Sequence, residues 1–483
     1  MSGRHNSERD DKIEIGSRAK AQGDDTIAIG EKSRALGDSA TAIGADSKAR
    51  GQDALAIGDE ARASGPSTTS VGGESSAKGP GATAIGWQAE AGAERAQAFG
   101  HLANAEGVRS LAVGEAAHAG SDNSTAIGNM ATANGIDALA IGDTASASGP
   151  STTSVGGESS THGPGATAIG WQASAGAERA QAFGHLANAE GVRSLAVGEG
   201  ANAQTDNATA IGNMAAASGI DALAIGDTAM ASGPSTTSVG GESETHGPGA
   251  TAIGWQASAG AERAQAFGHL ANADGVRSLA VGEDANATSD NATAIGNQAH
   301  ADGVDALAMG DNASATGTST TAVGGESVAS NTAATAFGWQ SEASGERAHA
   351  FGHLAEAGGD FSLAVGEAAS ANYTNSTAIG NGATATEANE FVLGNEDNTY
   401  TLKGFSDEIA DGDAEFLMVN GDGSLSSVHT ADFAAMMGDD DSDMEMAMED
   451  SSDDMPDMKE TEMSDMPDMP VMDDMEDDMS AMA

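Results

Sequence analysis

The chain has 483 residues, no cysteine, 3% aromatic residues, 66 glycines and a formal net charge of −53. The lack of cysteine excludes a disulfide framework, a thiolate metal site and a cysteine nucleophile, and the negative excess, which repels phosphate, argues against nucleic acid as a partner. No run of about eighteen apolar residues occurs, so no membrane-inserted helix is expected.

Residues 1–15 read as a polar lead-in without the apolar run of a secretory signal. No signal peptide is therefore recognised, and the expectation is that the protein leaves the cell by another route, by lysis, or not at all. From Gly16 to Gly394 a glycine recurs every 14 residues, 28 times without a slip. Each follows a bulky apolar residue, as in Ile29, Ile57, Val71, Phe99 and Leu393. A short fixed period means one small unit stacked many times, so residues 16–394 are assigned to a single repeat array.

The coil Asp122–Gly135 carries two stretches of period-2 alternation, Ser124–Ile127 and Met130–Ala133, punctuated by Gly128-Asn129 and Asn134-Gly135. That is the signal for strands and tight turns, with the two glycines expected to supply positive φ at the corners. A helix is disfavoured, because glycine at about every seventh position would cost about 1 kcal/mol each time. The fold class is therefore all-β, a parallel β-roll or solenoid of 14-residue coils. At a strand spacing of about 4.8 Å the array would be on the order of 130 Å long.

Before each register glycine, positions −2 and −4 are small (Ala126, Ser124) and positions −1 and −3 are larger (Ile127, Thr125). Both faces of this strand thus read as covered. Only one can face the inside of a roll, so the other predicts self-association along the array, with a closed ring as the usual symmetry.

The coils Ser124–Gly135 (STAIGNMATANG), Ala40–Gly51 (ATAIGADSKARG) and Ala138–Gly149 (ALAIGDTASASG) resemble the YadA-like head repeats of trimeric autotransporter adhesins, whose pattern is close to S-x-A-I-G-x-x-A-x-A-x-G. The resemblance spans 16–394. It implies a left-handed roll, a homotrimer of chains side by side, and attachment to surfaces. The stretch 389–404, NEFVLGNEDNTYTLKG, is similar to the segment that ends such heads. The stalk and barrel anchor usual in that family are not seen in this sequence. The expectation is therefore a head-type fibre on a bacterial surface, on a phage or other particle, or released outside the cell.

A second period lies inside the array. GPSTTSVGGES begins at Gly65, Gly149 and Gly233, and GTSTTAVGGES at Gly317, a spacing of 84 residues or six coils. Each block places a tryptophan (Trp87, Trp171, Trp255, Trp339) after one register glycine and a histidine (His101, His185, His269, His353) after the next. These eight residues form either a periodic strip that binds a glycan or protein, or corner side chains that shield a coil edge, with Trp87 against Gln88 or a neighbour. No second ligand type stands at metal spacing from the histidines, so no metal site is assigned. Arg95, Arg179, Arg263 and Arg347 read as surface ion pairs of little worth. The acidic corners form a solvated face that could hold Ca²⁺ or Mg²⁺ only weakly. No catalytic motif fits its required context, so neither an enzyme nor a cofactor is expected.

Residues 395–437 read as a neck or cap, with a hairpin over Phe416–Val428 around Asn420-Gly-Asp-Gly. Residues 438–483 read as a disordered tail, with 19 acidic residues and 12 methionines in the last 45 positions and Lys459 as their one base. The functional expectation is a non-enzymatic adhesin-like fibre making multivalent contacts with a surface glycan or matrix protein, without membrane insertion. The alternatives are a structural spacer or coat, and a cation-binding acidic protein.

Overall fold

The computed structural model describes residues 11–401, 415–419, 421 and 425–429. Each coil contributes a three-residue strand ending just before the register glycine and a two-residue strand after it, Thr125–Ile127 and Thr132–Ala133 in the coil considered above. The strands are shorter than the alternation suggests, because turns take the flanking residues. The longer strands form a 28-stranded parallel sheet from Ile13–Ile15 to Phe391–Leu393. The shorter ones form a second parallel sheet from Lys20–Ala21 to Thr384–Ala385. Register is constant: Thr125, Ala126 and Ile127 pair with Leu139, Ala140 and Ile141 of the next coil. The described residues contain no helix, and the fold is a parallel β-solenoid.

The core is alanine. Ala126, Ala131, Ala133 and Ala138 are at most 1% exposed, and inside the array alanine fills most of the same inward positions, with serine or threonine in the rest. So small a side chain brings the two sheets' backbones close, and a two-sheet coil can then close in 14 residues. The 84-residue blocks interrupt this core with hydroxyls. Thr152, Ser154, Ser159 and Thr161 are buried between two alanine clusters. Ser154 and Ser159 share a hydrogen bond of 2.8 Å, Ser159 Oγ donates to the Gly156 carbonyl at 2.8 Å, and Thr152 Oγ1 donates to the Gly149 carbonyl at 2.7 Å. These buried hydroxyls are therefore satisfied, as burial requires.

The two glycines of a coil act differently, which corrects the expectation that both supply positive φ. Gly128 has φ 136°, and a Cβ there would lie 2.2 Å from the Gly142 carbonyl oxygen. Gly135 is not at positive φ; it is required by close approach, since its Cβ would lie 1.8 Å from the Gly149 oxygen. Left-handed conformation falls instead two residues after each glycine, on Met130 (φ 52°) and Asp137 (φ 57°). Their amides donate to the preceding coil, Met130 N–H to Glu115 O at 2.8 Å and Asp137 N–H to Asp122 O at 3.0 Å.

Outside the first sheet runs the ladder of residues that precede each register glycine. It is half-buried over most of the single chain, most open at the terminal rungs Ile15 (57% exposed) and Leu393 (50%) and, inside the array, at Phe337 (54%), followed by Ile169, Ile253, Met309, Ile85 and Phe351. The chain divides into two units, Met1–Asn398 and Thr399–Ala483. In the second, Glu415–Val419 and Leu425–His429 pair antiparallel, Glu415 opposite His429 and Val419 opposite Leu425. Most of the lead-in and all of the acidic tail lie outside the described residues.

Candidate functional site

Because register is constant, the residue after each register glycine stacks into one column along the first corner. In the block that starts the series the column reads Gly73, Trp87, His101, Glu115, Asn129, Asp143. The structure brings each Trp–His pair together. Trp87 stacks on His101 with ring centroids 4.9 Å apart, and Trp171–His185, Trp255–His269 and Trp339–His353 repeat this at 5.0, 5.0 and 4.9 Å. Each histidine Nδ1 meets the glutamate of the next coil: His101–Glu115 at 3.3 Å, His185–Glu199 at 3.2 Å, His269–Glu283 at 3.4 Å and His353–Glu367 at 3.4 Å. Asn129 Nδ2 then donates to Asp143 Oδ1 at 2.7 Å.

The glycine that opens each column has a steric reason. A Cβ on Gly73 would lie 3.0 Å from Trp87 Cδ1, and Gly157, Gly241 and Gly325 stand in the same relation to the other three indoles. Each indole is thus held between a glycine backbone and an imidazole, and remains 46–47% exposed. The amide of Gln88, the residue after Trp87, donates to Glu74 Oε2 at 2.7 Å. The Gly and Glu partners of each pair were not singled out in the sequence, although writing the coils beneath one another at the 14-residue period places them in the column.

The remaining candidates are solvent-facing. Arg95 lies 3.9 Å from Glu94, with the two side chains 69% and 56% exposed, a geometry worth little. Arg347 differs, its guanidinium standing 5.6 Å from the Phe361 ring centroid. Among the described residues no three His, Asp or Glu side chains converge as a metal site would require, and no helix is long and apolar enough to cross a membrane. What the column offers is a row of aromatic edge, imidazole, carboxylate and amide, four times over, at intervals of about 29 Å.

The family profile described as the YadA head domain repeat matches in overlapping windows from residues 15–33 to 374–389, continuous over 15–131 and 329–389 with short breaks between. Among solved structures, the collagen-binding domain of the Yersinia adhesin YadA is 24% identical, covering 36% of this chain and 80% of that one, with a TM-score of 0.19. No curated protein sequence matches.

Proposed function

The chain belongs to the YadA head-repeat family, an adhesin-like family, and from that premise we propose that it is a non-enzymatic homotrimeric fibre that attaches to surfaces through repeated contacts. The observation that carries the reading is the fourfold recurrence of one exposed Trp–His–Glu column at fixed spacing. Four equivalent weak sites in each chain, tripled by assembly, give avidity without any strong pocket. The ligand class we assign is a surface glycan or matrix protein, met outside the cell, on its surface or from a particle. Trimerisation is supported by the apolar ladder, whose open rungs at Ile85, Ile169, Ile253 and Phe337 would each contribute up to about 1.5–3 kcal/mol when covered.

A second reading, a spacer, is favoured by the packing of the indoles between glycine and imidazole. Binding of the full chain to immobilised matrix proteins and glycans separates the two. Replacing all four tryptophans with alanine should lower surface binding at least tenfold while leaving the circular dichroism spectrum in place. Removing residues 149–232, one whole block, should lower it by less. Binding unchanged by the four substitutions would leave the spacer, and sedimentation as a monomer would remove the trimer.

A further inference from the structure

Positive charge is segregated in this molecule. Ten of its 20 lysines and arginines lie within residues 1–62, and the solenoid sorts several of them onto one face. On the short strands Lys20 pairs with Arg34, Arg34 with Lys48, and Lys48 with Arg62, so four bases form consecutive rungs of a single column. Arg50 and Lys78, two residues further along their coils, fall on the same outward side. Beyond this point the two columns carry no further lysine or arginine; the rungs become Ser146, Ser160, Glu244, Asn286 and Glu342.

Like charges on facing rungs destabilise a sheet, so stability does not account for the column. Nor are its charges absorbed locally. Arg62 meets Glu60 at 3.5 Å and Lys78 meets Glu90, but Lys20, Arg34, Lys48 and Arg50 have no ion pair among the described residues. The strip is about 19 Å long at the strand spacing, and Leu36 lies half-buried on the same face.

We propose that this strip is a docking surface for the acidic tail, residues 439–483, of a second copy of the chain, so that copies join head to tail. The tail is the densest run of negative charge in the sequence, with 19 acids among 45 positions and one base. Its 12 methionines supply apolar stems to lie along Leu36 and the methylenes of lysine and arginine. We assign the tail of another copy rather than the chain's own, because the strip lies on the order of 100 Å of stacked coils from Gly394, where the array ends, whereas the 44 residues between Gly394 and the tail would as a flexible coil span only about 40 Å. Acids at the corners of the same coils, among them Asp38, Asp46, Asp53 and Asp59, cancel the strip's field beyond about a Debye length. The attraction therefore acts at contact and selects a thin extended polyanion over a broad anionic surface.

The test is fluorescence anisotropy with a labelled peptide of residues 439–483 and the full chain, at 20 mM and 500 mM salt. We expect binding at low salt that weakens at least tenfold at high salt, and at least tenfold in K20E/R34E/K48E/R62E. The column tolerates the change, since Glu90, Glu244 and Glu342 occupy it elsewhere. If that variant fails to fold, K20S/R34S/K48S/R62S, matched to Ser146 and Ser160, gives the same reading. Equal binding to wild type and variant, or to neither, overturns the proposal. Strip-dependent binding of heparin or of phosphatidylserine vesicles without peptide binding overturns it too, and assigns the strip to an external polyanion.

Discussion

Ordinary side chains occupy left-handed backbone at nearly every corner, among them Leu102 (φ 57°) and Met130 (φ 52°). Such a conformation costs roughly 1–2 kcal/mol outside glycine. It persists because the amide of that residue is the one that reaches the preceding coil, Leu102 N–H to Trp87 O at 2.9 Å. Glycine at such a slot would relieve strain yet add freedom to the unfolded chain, so Met130→Gly should change local stability by no more than about 0.5 kcal/mol. Gly128→Ala should behave differently, combining a conformation at φ 136° with an approach of 2.2 Å to the next coil's carbonyl. We expect it to cost about 3 kcal/mol. Hydrogen exchange of the flanking coils is the suitable measurement, because a repeat array opens locally and departs from two-state behaviour.

At the scale of the coil, the second corner shows how an exposed amide is managed. The Val108 N–H donates to Asp122 Oδ1 of the next coil at 2.8 Å, and Val192–Asp206 and Val276–Asp290 repeat it at 2.9 Å. The same coil position holds Pro66, Pro80, Pro150, Pro164, Pro234 and Pro248, which have no such donor. Asp122→Ala should therefore cost about 1 kcal/mol of local stability and cost nearly nothing in a chain already carrying Val108→Pro, a coupling that a double-mutant cycle on hydrogen exchange of the flanking coils would read. The faces of the strands were legible in the sequence, since Ala126 against Ile127 states inside and outside directly. Partners across coils were less so: the link from Trp87 to His101 and Glu115 exists only once the 14-residue period is folded into a column, and the link from Gly73 to Trp87 is a matter of space that no spacing rule encodes. The left-handed slots escaped because Met, Leu, Arg and Asp all fill them, leaving no compositional mark.

For the solenoid as a whole, every ladder bond between coils points along the array axis, as in Gly128 N–H to Val113 O and Gly142 N–H to Ile127 O, both 2.8 Å. Tension applied along that axis loads these bonds directly, and it meets only one coil's bonds at a time at whichever end yields. Each coil that peels away gives up about 4.8 Å of stacked height and releases 14 residues, about 48 Å of extended chain. Force–extension curves of the full chain in an optical trap should accordingly show a low plateau with small, regular steps of that order, and a single large rip would contradict it. A molecule that lengthened roughly tenfold at nearly constant force would dissipate a sudden pull through the slack it released, and the alanine solenoid would then act as a shock absorber between whatever its two ends hold.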